Sequence, residues 1–360
     1  MYQSINLVIF TLSMFVVLGS VDAKTLRFSL ADDAASLDPH AANLQSSSRL
    51  TSSVYEGLLG RDKDFRIVPA LALSWSQPDA KTWRFKLRPN VKFHDGSPFT
   101  ADDVVFSVQR AQQPSANIAV YANPLGLPVA VDKETVEFRL AKINPIFLQN
   151  LNAVFIMSKA WCELHKVTKP LDFKNREESF AGFNANGTGP YRLVARQPGI
   201  KTTYKRFAGW WGTFDGNVQD IVFTPVANDA TRLAALVSGE LDFVIDPAPR
   251  DVARLRNTAG VKIIDGPENR IIFIGMDQYR DELLYSSVKG KNPFKDLRVR
   301  QALHHAVDIE TLKTKLMNGQ SVPTGALTPS PQGGYNDAQL ESRQPFDLAK
   351  ARALMIEAGY

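Results

Sequence analysis

The sequence predicts a mixed α/β chain of more than one lobe, and three observations carry that prediction. Several short segments alternate apolar and polar residues with period two, as half-buried strands do. Between them lie apolar stripes at helical spacing, opened by capping residues and closed by glycines. Strand and helix signals interleave irregularly over 360 residues, enough for about two or three domains, with no fixed-period repeat and no long low-complexity stretch.

Taken in order, residues 25–30 (TLRFSL) set Leu26, Phe28 and Leu30 against Thr25, Arg27 and Ser29. Residues 83–88 (WRFKLR) and 136–140 (VEFRL) repeat the alternation. The basic residues within 81–92 read as a solvated strand face rather than an anion site. Thr100, followed three residues later by Asp103, has a capping-box pattern, and Val104, Val105 and Val108 form the stripe of the helix it opens. Gly187 and Gly189 permit tight backbone geometry before a strand starting at Tyr191. Leu233, Leu236 and Val237 share a face of a helix over 229–238 that Gly239 ends, so that Leu241, Phe243 and Ile245 can enter a sheet. Residues 271–275 (IIFIG) read as a strand leading into polar residues 277–292, and Pro293 opens the next helix; the softest boundary lies near 260–295. Asp308 caps a helix carrying Ile309, Leu312 and Leu316, stopped at Gly319. Asp347 caps another, with Leu348, Ala351 and Met355, stopped at Gly359.

Composition excludes several classes. Hydrophobic residues make up 44% and charged residues 22%, so the chain is neither disordered nor collagen-like. A single cysteine, Cys162, rules out an internal disulfide framework and cysteine-rich zinc modules. A net charge of +5 is modest for this length, and no concentrated basic patch argues for nucleic acid. Residues 7–18 (LVIFTLSMFVVL) are too short an apolar run to span a bilayer, and fit the core of a secretory signal. Val21 and Ala23 are the small residues expected before cleavage after Ala23, although residues 1–6 carry no Lys or Arg. No cysteine adjoins that point, so an unlipidated protein released to a bacterial periplasm is expected.

Motifs for chemistry are nearly absent. The GTG at 187–189 meets Arg192 where a dinucleotide fingerprint needs its third glycine. A P-loop beginning at Gly182 would meet Thr188 where lysine is required. There is no GxSxG elbow and no HExxH helix. His304 and His305 are helical neighbours pointing about 100° apart, poorly placed to chelate one metal. His94-Asp95-Gly96 is turn chemistry first, and a His–Asp pair would still need a nucleophile. Cys162 and His165 share a helical face, yet a lone cysteine more often packs as a small hydrophobe.

Several segments together resemble the family 5 extracellular solute-binding proteins of ABC transporters, the peptide- and nickel-binding group. They are SLDPH (36–40), VYEGLLGRD (54–62), PALALSW (69–75) and WRFKLRPNVKFHDGSPFTADDVVFS (83–107). NGTGPY (186–191), RLAALVSGELDF (232–243), PFKDLRVRQALHHAVD (293–308) and DLAKARALMIEAGY (347–360) follow in the family's order. The resemblance implies a two-lobed α/β periplasmic-binding-protein fold of class II with an extra α/β subdomain. It implies a signal peptide over 1–23, a first lobe over 24–52 and 176–265, the subdomain over 53–175, and a second lobe starting at 266. Members continue well beyond an AGY helix, so the second lobe is expected to be incomplete in this chain. The acidic residue that pairs with a peptide's amine in peptide-binding members lies in that later part and is carried to no residue here.

The implied function is capture of a small ligand, an oligopeptide or dipeptide by default, between closing lobes, and delivery to inner-membrane ABC permease subunits. A nickel chelate, haem or sugar is the alternative ligand. The alternative class is a secreted hydrolase using His94, Asp95 or Cys162/His165. No cofactor, resident metal or nucleic-acid partner is expected, and a monomer is. By position in the family pattern the ligand wall includes Asn43 and Gln45 after SLDPH, Asp246 after SGELD, Arg270 and Phe273 near the lobe crossover, and Tyr121 from the subdomain. Asp246 and Arg270 offer charge to peptide termini or side chains, and Phe273 and Tyr121 offer apolar walls.

Overall fold

A computed structural model describes residues 24–360 except 173, 174, 176, 267, 269, 328–338 and 340. The expected signal segment over 1–23 lies outside the described residues. The elements are β1 (Lys24–Ser29), α1 (Gln45–Thr51), β2 (Leu59–Arg61), β3 (Ile67–Pro69), β4 (Ala72–Asp79), β5 (Thr82–Leu87), α2 (Ala101–Ala111), α3 (Ala119–Ala122), β6 (Leu127–Asp132) and β7 (Thr135–Arg139). There follow α4 (Phe147–Asn152), α5 (Lys159–Leu164), α6 (Phe180–Phe183), β8 (Tyr191–Gln197), β9 (Lys201–Arg206), β10 (Val218–Phe223), α7 (Asp229–Val237), β11 (Phe243–Val244), α8 (Pro249–Arg256), α9 (Leu297–Ala306), α10 (Ile309–Thr311) and α11 (Leu348–Glu357).

Among the described residues two larger sheets organise the molecule, and β2 and β3 form a separate two-stranded pair. The first has the order β11-β1-β10-β9-β8. Its centre is parallel: β1 pairs with β10, setting Phe28 beside Phe223, and with β11, setting Ser29 beside Val244. Phe28 and Phe223 are in ring contact at 5.1 Å, and Phe223 is buried with Leu30, Leu37 and Leu50. The parallel pairings require the long crossovers that carry the rest of the chain. The second sheet is an antiparallel run, β4-β5-β7-β6. The apolar face of 83–88 and 136–140 is buried where Phe85 and Phe138 meet Phe147 of α4, and on the opposite face Glu137 is covered by its ion pairs with Arg84 and Arg139. Each fully buried phenylalanine contributes about 1.5–3 kcal/mol.

Helix α2 closes that core with Val104 and Val108. Its first turn is fixed by Asp103, whose Oδ2 accepts from the Thr100 backbone N–H at 2.9 Å and its hydroxyl at 3.1 Å. The Asp103 Oδ1 accepts from the Lys159 N–H at 2.9 Å, so one carboxylate caps α2 and holds the start of α5. Asn228 caps α7, and Gly239 follows it in the left-handed region at φ 79°.

The chain departs from expectation mainly after residue 260. Residues 271–275 form no strand: a run without alternation has no half-buried face, and Ile272, Phe273 and Ile274 are all exposed. Pro293 opens a single 3₁₀ turn, Pro293–Lys295, before α9. The helix capped by Asp308 is α only as far as Thr311 and continues as a π-helical turn over Leu312–Leu316. Helices α9 and α11 pack together and bury Val299, Ala302 and Ala351, while Leu297, Leu316, Leu348 and Ile356 stay exposed.

Candidate ligand-binding site

Helix α1 follows the buried SLDPH loop and presents Gln45 and Arg49, one helical turn apart, on one face. Strand β11 ends against β1, and the next turn sets Asp246 at φ 53°, a left-handed conformation unusual for a residue with a side chain. The segment leaving α8 then returns Glu268 and Arg270 to the same place. Arg49 Nη1 donates to Asp246 Oδ2 at 2.6 Å. Arg49 Nη2 stands 3.8 Å from Glu268 Oε1. Gln45 Nε2 donates to that same Oε1 at 2.8 Å. Arg270 Nη2 pairs with Glu268 Oε2, also at 2.8 Å.

Three of the six expected wall residues, Gln45, Asp246 and Arg270, are thus joined in one charged cluster. Arg49 and Glu268, which sequence reasoning did not single out, are its hubs. Asn43 is exposed two residues before Gln45, at the end of the same loop. Tyr121 lies on α3, four residues after Asn117, whose side chain donates to the Ala41 carbonyl. That bond places the start of α3 against the loop carrying Asn43. Phe273 is 66% exposed beyond Arg270. Among the described residues, no hydrogen bond or ring contact joins Asn43, Tyr121 or Phe273 to the cluster. The cluster balances two guanidinium groups with two carboxylates, so it suits a ligand bearing both charges.

The loop before α1 is held by a buried ion pair. Arg110 of α2 reaches Asp38 through Nη1 at 2.8 Å and Nη2 at 2.6 Å. Its Nη1 also donates to His40 Nδ1 at 3.1 Å, so the His40 proton sits on Nε2 and is donated to the Phe155 carbonyl at 2.8 Å. Burial, with the Arg110 charge, lowers His40 to about 4. Burial pushes Asp38 up, but the bonds and charge of Arg110 outweigh it and hold the carboxyl below its ordinary value.

The groups considered for hydrolysis are engaged in scaffold roles. His94 donates through Nε2 to the Gly189 carbonyl at 2.9 Å, and burial lowers it to about 4. Asp95 Oδ2 accepts from Asn186 Nδ2 at 2.8 Å, and its Oδ1 accepts from the Ser97 hydroxyl at 2.6 Å. Cys162 is buried, and desolvation pushes its thiol up to about 12. His165 stacks on Phe180 with ring centroids 4.1 Å apart. His305 is buried and bonded to the Pro345 carbonyl at 2.7 Å, while His304 is exposed. Among the described residues no three potential metal ligands converge, and no helix is long and apolar enough to cross a membrane.

Residues 66–360 match the profile of the bacterial extracellular solute-binding proteins, family 5 Middle. The chain is 31% identical over 345 residues to the glutathione-binding protein GsiB of Pectobacterium atrosepticum, covering 94% of this chain and 62% of that protein. It is 31% identical over 379 residues to the dipeptide-binding protein of Escherichia coli K12, covering 97% of this chain and 66% of that one. The periplasmic binding protein DppA of Helicobacter pylori, solved with the peptide STSA, superposes with a TM-score of 0.75 at 24% identity, over 94% of this chain and 66% of that one. The chain therefore spans less than two thirds of the length of these relatives.

Proposed function

The chain belongs to the bacterial extracellular solute-binding proteins of family 5, and we propose that it captures a short peptide and delivers it to the permease subunits of an ABC transporter. The observation that carries this reading is the cluster of Gln45, Arg49, Asp246, Glu268 and Arg270, where an element of the first sheet meets the crossover segment. A free peptide carries an amine and a carboxylate, and the cluster offers partners for both. The names of two relatives, a glutathione-binding and a dipeptide-binding protein, support the same ligand class.

In this reading residues 24–52 and 176–265 form one lobe, with 53–175 as a subdomain attached to it. The part from 266 onward begins the opposing lobe. Asn43, Gln45, Asp246, Arg270 and Phe273 line the cleft, and Tyr121 covers one end. Closure removes water from the charges, which strengthens each ion pair with the ligand. The protein is exported with cleavage after Ala23, acts as a monomer in the periplasm, and performs no catalysis.

Mass spectrometry of the exported full chain tests this directly. Denaturation is expected to release small peptides that the folded protein retained, and calorimetry with di- and tripeptides to show saturable heat. A preparation that releases no small molecule and gives no heat with dipeptides, tripeptides or glutathione would refute the reading.

A further inference from the structure

Three arginines show how this molecule satisfies a guanidinium when acceptors are at hand. Arg110 uses Nε, Nη1 and Nη2 on five acceptors. Arg27 grips Asp242 through Nε at 2.9 Å and Nη2 at 2.8 Å, the side-on fork that matches a carboxylate. Arg298 grips Asp296 through the same edge, with bonds of 3.1 and 2.6 Å. Arg49, within the charged cluster, differs from these three. Its one side-chain hydrogen bond among the described residues runs from Nη1 to Asp246. The Nε/Nη2 edge that Arg27 and Arg298 use on carboxylates has no hydrogen-bonded partner among the described residues. Glu268 is near Nη2, but 3.8 Å is an ion-pair distance and too long for a hydrogen bond. Glu268 is instead held by Gln45 and Arg270, one on each oxygen.

The remaining geometry points the same way. The Arg49 side chain is 24% exposed, so its charge is partly desolvated while the fork stays reachable. Asp246 holds Nη1 from a left-handed backbone conformation that costs a non-glycine residue free energy. From there its carboxylate fixes the orientation of Nη1.

We propose that Arg49 is the residue that takes the ligand's carboxylate, side-on through Nε and Nη2, with Asp246 and Glu268 orienting the guanidinium. This rests on the proposed function and narrows it to ligands with a free carboxylate. The charge balance narrows it further. Arg49 and Arg270 already face two acids, so a bound carboxylate leaves one negative charge in excess. An ammonium on the same ligand cancels that charge, whereas a phosphate dianion leaves two in excess. The ligand class is therefore an amino-acid-derived zwitterion.

The test is calorimetry on the full chain with alanyl-alanine, trialanine and glutathione, each as the free acid and as the C-terminal amide. Wild type is expected to prefer the best-bound acid over its amide by about tenfold to a hundredfold, the range of one charge-assisted pair. Arg49→Gln is expected to weaken acid binding by that factor and to abolish the preference for acid over amide. Arg49→Lys should keep part of the preference, because the charge remains while the fork is lost. Thermal melting of each variant separates loss of the contact from loss of the fold. Wild type binding acid and amide equally would overturn the assignment without any variant. So would Arg49→Gln discriminating as wild type does. Wild type binding none of the probes would overturn the proposed function itself, and this inference with it.

Discussion

Arg110 and Asp38 have no exposed side-chain surface, and their ion pair sits where the SLDPH loop meets α2. Desolvation of two such charges is repaid only because every donor on the guanidinium side finds an acceptor. Removing the cation leaves a buried carboxylate uncompensated. Arg110→Met should therefore destabilise the protein by about 3–5 kcal/mol in urea unfolding; a change below about 1 kcal/mol would show that the pair is dispensable. His40, beside them, adds a pH dependence. Its folded value near 4 lies below the ordinary 6.5, so between those limits the unfolded chain binds a proton that the native state does not. Stability should rise with pH across that window, by an amount on the order of 3 kcal/mol for His40, and His94 acts in the same direction. Asp38 contributes stability above its ordinary value, lost as pH falls through its depressed one. His40→Gln, which can keep both hydrogen bonds, should reduce the slope between pH 6.5 and 4 and leave the share of His94; an unchanged slope would remove His40 as a contributor.

At the scale of elements, the glycines of the NGTGPY segment show what the chain crossing demands. A Cβ on Gly187 would lie 1.9 Å from the Val54 carbonyl oxygen, and one on Gly189 would lie 2.6 Å from that of Ser53. The crossing is stitched by the Gly189 N–H to Val54 and the Tyr191 N–H to Ser53, at 2.9 and 3.0 Å. Glu56 is next to it, pushed upward by burial even though the Thr188 hydroxyl and the Trp210 and Trp211 indoles all donate to it. Gly187→Ala should abolish soluble expression or lower the melting temperature by many degrees. Gly216→Ala, with nothing within 4 Å of the added carbon, should be neutral; equal melting of the two variants would mean the crossing tolerates separation.

The alternating strands at 83–88 and 136–140 were legible because one face is buried, and the Thr100/Asp103, Asp308 and Asp347 caps because their hydrogen bonds are local. The run at 271–275 was misleading because hydrophobicity alone carries no register. Arg49 and Glu268 gave no local signal. Arg49 meets Asp246 across 197 positions, and Gln45 meets Glu268 across 223. Positions in the family pattern led to the neighbourhood of the cluster and not to its hubs.

For the whole molecule, burial divides at about residue 260. The large cores lie before it, whereas residues 261–292 contain no helix or strand among those described. Ile272, Ile274, Tyr279, Tyr285, Leu316 and Ile356 leave apolar surface open. Limited proteolysis of the 360-residue chain should cut first after 266 and leave a resistant core beginning near Lys24. Uniform resistance through Tyr360 would mean that the later residues are as firmly packed as the sheets.

Amide hydrogen exchange with and without a saturating dipeptide maps where the ligand binds along the chain. Protection should rise at three separate stretches that only the fold brings together: residues 41–51, 243–248 and 268–275. Binding accompanied by protection elsewhere, for example along α5 and β8, with those three stretches unchanged, would place the ligand away from the Arg49 cluster.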